Sequence, residues 1–307
     1  VIMPCVNFIS SFNICKQLDF KIYLTDVDKF TGQMTPKNIK DCISENKLKK
    51  IDLVINMYLG GFVENVSEFY KLKKKFNFYL IEDACHAFGA QYFFKNKYYK
   101  VGSCKHCDIS TFSFHPLKTI TTGEGGSAVT NDPLLFENLK LLCSHGVTRD
   151  PNKMETETEN SWVYDQIILG FNYRMSDLNA ALGSSQLKRI DEFTRRRHEI
   201  ARKYDEELSP LNLITPYRDP KNYSALHLYP IQTDQRMEIF NWLHSEGIKV
   251  NVHYRPIHIQ PYWRKKGFLP GDFPNSETYY SKAISLPIHF NLTDDQQDKV
   301  IKVLNSI

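Results

Sequence analysis

The chain has 307 residues, of which 42% are hydrophobic and 24% charged, a composition typical of a globular protein with one large and one smaller domain. Its net charge is only +4, and its short basic runs lie in segments with helical spacing, so we expect no nucleic-acid partner. No apolar stretch approaches the ~20 residues that cross a membrane, and no signal peptide is visible. With seven cysteines in no framework spacing, these features predict a cytoplasmic protein with reduced thiols.

Cys104 and Cys107 form an isolated C-x-x-C pair on either side of His106. A zinc site would need a second pair of ligands at a suitable spacing, and a redox site would need a thioredoxin-like context. The sequence supplies neither, so we expect no metal.

The first 132 residues predict a layered α/β fold. Residues 1–4 have the composition of a buried core strand, so we expect the natural protein to extend before Val1. Further strands are predicted at residues 21–27, 51–58, 78–81 and 109–114, with helices at residues 36–50 and 65–76. This alternation predicts a mostly parallel central sheet flanked by helices. Ligands of such sheets gather at the carboxyl ends of strands, here just after residues 81 and 114.

The second half begins with a helix that opens at Asp132 and Pro133, followed by a polar stretch at residues 151–160 that predicts a mobile surface loop. Apolar spacing predicts one long helix from Ser176, its N-cap, to about Leu208. Beyond it, strands are predicted at residues 227–231 and 248–254, and helices at residues 237–246 and 294–304. We therefore predict a large α/β domain over residues 1–209 and a small α+β domain over residues 210–307.

An apolar strand runs directly into the acidic pair Glu82 and Asp83, with His86 three residues beyond the pair. A carboxylate buried at such a strand end without a cationic partner costs several kcal/mol. Asp83 therefore needs a cationic partner, unless it only caps a helix or forms a turn.

The second chemically rich segment follows the strand at residues 109–114. Ser113 lies near the strand end, Lys118 comes two residues after Pro116, and a glycine-rich turn follows. A lysine in a partly desolvated pocket acts as an amine nucleophile toward an aldehyde. Pyridoxal phosphate requires such a lysine, an acid facing its pyridine nitrogen and a cradle for its phosphate. Lys118, Asp83 and Ser113 match these three requirements.

The chain resembles the DegT/StrS family of sugar-nucleotide aminotransferases, a branch of the fold-type I pyridoxal-phosphate enzymes. The resemblance rests on five motifs in the family's order: EDACHA at 82–87, FSFHPLK at 112–118, TTGEGG at 121–126, GFNYRM at 170–175 and VHYRP at 252–256. It implies a fold-type I transferase and pyridoxal 5'-phosphate as the cofactor.

The resemblance also implies roles for individual residues. Lys118 would carry the cofactor covalently and act as the catalytic acid and base, while Asp83 would pair with the pyridine nitrogen. His86 would lie near the ring, and Ser113 would bind the phosphate. Asn172 would reach the phosphate of the partner subunit, which implies a homodimer with shared active sites.

Three further segments resemble the aminotransferases of the pseudaminic acid pathway: VGSCKHCD at 101–108, LCSHGVTRD at 142–150 and ISLP at 284–287. Those enzymes transfer an amino group from L-glutamate to the C4 ketone of a UDP-linked 2-acetamido-2,6-dideoxy-hexos-4-ulose. The residues expected to contact this nucleotide-sugar are Asn251, Val252, His253 and Tyr254.

Three alternatives stay open at this point. A related sugar dehydratase has a histidine at the position of Lys118, so the lysine argues against that activity. A 4-aminotransferase for a TDP- or GDP-linked 4-keto-6-deoxy sugar would differ only in specificity. The only feature in favour of a degenerate, non-catalytic paralogue is that the sequence lacks the amino-terminal segment that family members carry before the position of Val1. The presence of Lys118, Asp83 and Ser113 argues against this alternative.

Overall fold

The computed structural model describes residues 1–157 and 160–306. Its strands are β1 (Ile2–Pro4), β2 (Tyr23–Thr25), β3 (Leu53–Met57), β4 (Tyr79–Asp83), β5 (Gln91–Phe94), β6 (Lys97–Lys100), β7 (Ile109–Ser113), β8 (Gly126–Val129), β9 (Val147–Thr148), β10 (Asp165–Gln166), β11 (Tyr229–Gln232) and β12 (Ala283–Leu286). Its α-helices are α1 (Ser10–Gln17), α2 (Pro36–Glu45), α3 (Val66–Phe76), α4 (Pro133–Cys143), α5 (Asp177–Leu187), α6 (Ile190–Leu208), α7 (Arg236–Ser245), α8 (Pro261–Arg264), α9 (Pro274–Lys282) and α10 (Asp294–Leu304).

A six-stranded sheet in the order β2-β1-β3-β4-β7-β8 forms the centre of the large α/β part. The first five strands run parallel, and β8 pairs antiparallel with β7. The predicted mostly parallel sheet is confirmed, and β1 lies inside it, with Ile2 and Met3 both 0% exposed. Because parallel strands are buried on both faces, polar side chains are placed where the strands end. The carboxyl ends of the parallel strands lie at one edge of the sheet, which is where ligands bind in such folds.

The predicted long helix is wrong in one respect, because it consists of two helices. Ser176 caps α5 as predicted, accepting a hydrogen bond from the backbone N–H of Asn179, but α5 ends at Leu187 and α6 begins at Ile190. The apolar residues of α5 stay largely exposed, whereas those of α6 are buried. The apolar spacing therefore continues across the break although the two helices share no common buried face.

The strand predicted at residues 248–254 is also wrong. Ile248 and Val250 are buried in the carboxyl-terminal core, which explains the alternating pattern, but a single bridge from Asn251 to Ser285 is the only ladder contact described there. Alternating apolar residues show that one side of a segment is buried, but a segment can be buried in this way without pairing with a neighbouring strand.

The carboxyl-terminal core forms around the antiparallel pair β11 and β12. Ile200 and Tyr204 of α6, Leu243 of α7 and Val300 of α10 pack into one apolar cluster with Ile231 of β11. Helix α6 thus belongs to the same core as the elements after residue 226, and the domain boundary at residues 209 and 210 stays a prediction.

The described part of the predicted loop at residues 151–160 contains no helix or strand, and residues 158 and 159 lie outside the described residues. No helix within residues 1–157 and 160–306 is long and apolar enough to span a bilayer.

Candidate active site

The candidate residues Asp83, Ser113 and Lys118 lie at the carboxyl edge of the central sheet. Asp83 is the last residue of β4, and Ser113 is the last residue of the adjacent parallel strand β7. Lys118 lies in the loop that continues from β7 toward β8. Two neighbouring parallel strands therefore bring these side chains to one edge, as predicted.

Asp83 is a buried carboxylate held by hydrogen bonds alone. It is 7% exposed, and its Oδ2 accepts from Asn7 Nδ2 at 3.3 Å and from Ser11 Oγ at 3.1 Å. Its Oδ1 accepts from the backbone N–H of Cys85 at 3.3 Å. Among the described residues no lysine, arginine or histidine forms an ion pair with it. The negative charge is thus fixed in position and left available for a cationic ligand.

The loop that carries Lys118 is held in place by its own hydrogen bonds. The backbone N–H of Lys118 donates to the carbonyl of His115 at 2.9 Å, and Thr121 Oγ1 donates to the carbonyl of Phe114 at 2.9 Å. Burial lowers the pKa of Lys118, an effect that the negative charge of Asp83 partly opposes. A larger share of the side chain is therefore an uncharged amine, which is the nucleophilic form.

His86 lies beside this lysine in a fixed tautomer. Its Nδ1 accepts a hydrogen bond from the backbone N–H of Gly60 at 3.2 Å, so Nε2 carries the proton and donates to the Tyr254 hydroxyl at 3.1 Å. Burial lowers the pKa of His86 well below its usual value, with smaller contributions from His227 and Lys118. The ring is therefore neutral at physiological pH.

Glycines make the contact with His86 possible. A Cβ atom at Gly61 would lie 2.4 Å from the carbonyl oxygen of His86, and Gly60 has a φ of 72°, in the left-handed region that favours glycine. Only residues without a side chain let this turn approach the strand end so closely.

His227 is a functional candidate that the sequence analysis missed. Its ring lies 4.2 Å from that of His86, and burial lowers the pKa of His227 well below its usual value, helped by the nearby charge of Lys118. Its only signal in the sequence was its place at the start of the strand predicted at residues 227–231. In the described part of the chain, no group of three or more His, Cys, Asp or Glu side chains could hold a metal ion.

The predicted substrate residues lie partly at this site. Tyr254 contacts His86, and burial, with a smaller effect from Lys118, lowers the pKa of His253 to about 4. His253 Nδ1 lies 2.9 Å from Ser285 Oγ. Asn251 is exposed and its side-chain oxygen accepts from the backbone N–H of Val252 at 2.7 Å.

Asn172 is not brought to this cluster within the chain. It is exposed, its Oδ1 accepts two hydrogen bonds from the guanidinium of Arg174, and none of its described hydrogen bonds reaches Asp83, Ser113 or Lys118. Ser113, by contrast, accepts from the backbone N–H of His115 at 3.4 Å, which leaves its hydroxyl proton free to be donated.

Comparison with known proteins identifies the family. Residues 1–305 match the sequence model of the DegT/DnrJ/EryC1/StrS aminotransferase family. The chain belongs to this family. All of it aligns with 80% of the UDP-4-amino-4,6-dideoxy-N-acetyl-beta-L-altrosamine transaminase of Campylobacter jejuni, at 34% identity.

Solved structures agree with this assignment. A putative sugar aminotransferase of Streptococcus pneumoniae, Spr1654 in its PMP form, superposes with a TM-score of 0.87 at 25% identity, over 99% of this chain and 80% of that one. Helicobacter pylori PseC, an aminotransferase of pseudoaminic acid biosynthesis, gives 0.84 at 28% identity, over 99% and 78%. The protein is thus a pyridoxal-phosphate-dependent sugar aminotransferase with a fold-type I architecture.

The residues at the sheet edge fit this cofactor. A buried carboxylate without a cationic partner among the described residues suits a protonated pyridine nitrogen, and an amine of lowered pKa suits an aldehyde. Asp83 is therefore the candidate partner of the pyridine nitrogen, and Lys118 is the candidate amine that binds the aldehyde. The Ser113 hydroxyl is the candidate donor to the phosphate.

The assignment of Lys118 predicts where the cofactor is attached. Borohydride reduction of the protein loaded with pyridoxal phosphate, followed by peptide mapping, should place the pyridoxyl group on Lys118. Lys118→Ala should lose both the label and the yellow colour, whereas Lys105→Ala, which alters an exposed lysine, should keep both. A label on another lysine of the unmodified sequence would overturn the assignment.

Proposed function

We propose that the protein transfers the amino group of L-glutamate to the C4 ketone of a UDP-linked 2-acetamido-2,6-dideoxy-hexos-4-ulose, a cytoplasmic step in pseudaminic acid biosynthesis. The observation that carries the transaminase chemistry is the buried Asp83 carboxylate, which has no cationic partner among the described residues, at the edge where Lys118 lies. The sugar is suggested by the names of the Campylobacter and Helicobacter relatives.

Lys118 is the proposed proton carrier of the reaction. Bound pyridoxal phosphate supplies an electron sink that makes the Cα proton of the amino donor acidic. With its pKa lowered by burial, Lys118 Nζ accepts that proton from Cα of glutamate. In the second half of the reaction the same nitrogen delivers a proton to C4 of the sugar. The Asp83 carboxylate, positioned by its three hydrogen-bond donors, would pair with the protonated ring nitrogen.

The remaining residues position the cofactor and the sugar in this proposal. His86 is fixed by Gly60 and Tyr254, so its neutral ring can pack on the cofactor without adding a positive charge. The proposed nucleotide-sugar contacts come from the segment that contains Asn251, Val252, His253 and Tyr254. Since Tyr254 contacts His86, this segment connects the sugar side of the site to the cofactor side.

Substrate specificity is tested with a panel of nucleotide sugars. Full-length protein with glutamate and UDP-, TDP- or GDP-linked 4-keto sugars should release 2-oxoglutarate fastest with the UDP-linked 2-acetamido sugar. Preference for a TDP- or GDP-linked sugar would replace the proposed substrate while leaving the transaminase assignment intact. No turnover with any of them would favour the degenerate paralogue.

The role of Asp83 predicts the effect of one isosteric change. Asp83→Asn keeps the shape and two acceptor contacts, but a neutral amide cannot keep the ring nitrogen protonated. We expect turnover to fall by at least about a hundredfold, the range seen when one preorganised electrostatic partner is removed. Asp108→Asn, at the other end of β7 and paired with Lys73, should retain most of its activity per folded protein. Near-normal turnover in Asp83→Asn would refute the role.

We further propose that the protein works as a homodimer whose two active sites are shared. Helix α4 has no buried residue, and α5 buries only Gly183. Large apolar side chains of these helices and of the segment around Asn172 are exposed, namely Leu134 (71%), Leu169 (87%), Tyr173 (68%) and Leu178 (85%). Such a surface suits an obligate interface of about 2,000 Å² or more. A partner would cover it and bring Asn172 to the phosphate of the opposite site.

Mixing two inactive variants tests the shared site. In a dimer of one Lys118→Ala chain and one Asn172→Ala chain, one site carries both defects and the other carries neither. Activity should therefore reappear in proportion to the heterodimer formed, provided that Asn172→Ala alone is severely impaired. Two copies of Lys118→Ala differing only in tag serve as the exchange control. If heterodimers form and no activity returns, Asn172 acts within its own subunit.

A further inference from the structure

Cys104 and Cys107 form a C-x-x-C pair that the proposed function does not use. They lie between β6 and β7, at the amino end of β7, whereas Lys118 follows the carboxyl end of that strand. Both sulfur atoms contact one oxygen, since Cys104 Sγ lies 3.7 Å and Cys107 Sγ 3.4 Å from Ser110 Oγ. Ser110 is 0% exposed and its hydroxyl donates to Glu82 Oε2 at 2.6 Å. The two sulfurs are therefore held beside the same fixed oxygen in the core.

His106, one of the two residues between these cysteines, holds their turn in place. It is 7% exposed, and its Nδ1 lies 2.8 Å from the Tyr92 hydroxyl. Its ring packs against four aromatic rings at centroid distances from 4.1 to 5.6 Å, those of Tyr70, Tyr92, Phe94 and Tyr99. Because His106 is anchored on all these rings, the sulfurs on either side of it stay close to each other.

The two thiols differ in acidity. As a hydrogen-bond donor, the Cys107 thiol lowers the pKa of Cys104 to about 7, with burial opposing this shift and Ser110 assisting it. The same interaction and burial raise the pKa of Cys107. The Cys104 thiol also donates to the carbonyl of Val129 at 3.1 Å, a contact that favours its protonated form and limits the shift. Since the thiolate is the form that reacts with oxidants, Cys104 is the nucleophile of the pair.

Burial limits both the oxidant and the competing thiols. Cys104 and Cys107 are each 8% exposed, so a bulky disulfide has little access to their sulfurs, whereas hydrogen peroxide is not much larger than water. Burial raises the pKa of four other thiols, those of Cys5, Cys15, Cys42 and Cys85. These thiols are therefore less reactive than Cys104 toward the same oxidant.

We propose that Cys104 and Cys107 are a redox-active dithiol that hydrogen peroxide oxidises to an intramolecular disulfide. The Cys104 thiolate attacks one peroxide oxygen, the O–O bond breaks, and a sulfenic acid forms while hydroxide leaves and takes up the proton that Cys104 had lost. The Cys107 sulfur then attacks the sulfenic sulfur, an S–S bond forms, and the S–O bond breaks. The departing oxygen leaves as water with the Cys107 proton, so two thiols have reduced one peroxide to two waters. This site does not depend on the sugar proposed above.

Trypsin provides a direct assay, because Lys105 lies between the two cysteines. Cleavage there separates the peptide with Cys104 from the peptide with Cys107 unless a disulfide joins them. The cofactor-loaded full chain is reduced, treated with one equivalent of hydrogen peroxide, alkylated and digested. We expect joined peptides, which dithiothreitol separates again by thiol–disulfide exchange. Although Cys85 is only half-buried, its raised pKa should make its thiol react at least about tenfold more slowly.

Three variants distinguish the steps. Cys107→Ser should stop at a sulfenic acid on Cys104, detected by dimedone labelling, whereas Cys104→Ser should give neither joined peptides nor a label on Cys107. Cys143→Ser, at the end of α4, is the matched control and should form the disulfide at the unmodified rate. The first assay uses the unmodified chain, so it decides the proposal even if a variant fails to fold. Absence of joined peptides, equally fast loss of the Cys85 thiol, or a label on Cys107 in Cys104→Ser would each overturn it.

Discussion

The buried carboxylate of Asp83 is the constraint on which the active site depends. A charge at the end of a parallel strand is stable only if its environment is polar and fixed, and here Asn7, Ser11 and the N–H of Cys85 provide that environment. Asn7 follows β1 and Ser11 lies in α1, so the position of β1 in the sheet, with only β3 between it and β4, is what brings these donors to Asp83. The order of the strands in the sheet therefore determines which donors stabilise the Asp83 carboxylate.

Burial lowers the pKa of four basic side chains around Asp83. It lowers the pKa values of Lys118, His86, His227 and His253, so these side chains favour their uncharged forms in a region that must receive a cofactor and an anionic substrate. The carboxyl-terminal segments provide much of that burial, because Tyr254 and His227 both contact His86. The central sheet therefore provides one part of the site, and segments more than a hundred residues later in the chain provide the other part.

The sequence predicted the parts of this site that follow from local pattern. A strand ending in an acid, and a lysine between a strand end and a glycine turn, predicted the positions of Asp83 and Lys118, since strand ends in a parallel sheet share one edge. His227 was missed because its contact with His86 depends on the tertiary pairing of Leu228 with Gly60. Residues 248–254 were predicted as a strand because alternation reveals a buried side and not a hydrogen-bonded neighbour.

One short segment joins the active site to a pair of acidic residues elsewhere in the fold, Glu64 and Asp219. The N–H of Gly60 donates to His86, and four residues later Glu64 accepts a hydrogen bond from the N–H of Asp219. A second segment runs antiparallel to it, from Asp219 beside Glu64 to His227 beside the His86 ring. These two segments are hydrogen-bonded to each other where they pass, since the N–H of Ala225 donates to the carbonyl of Gly61. The acidic residues Glu64 and Asp219 thus lie at one end of this pair of segments, and the neutral histidines His86 and His227 lie at the other.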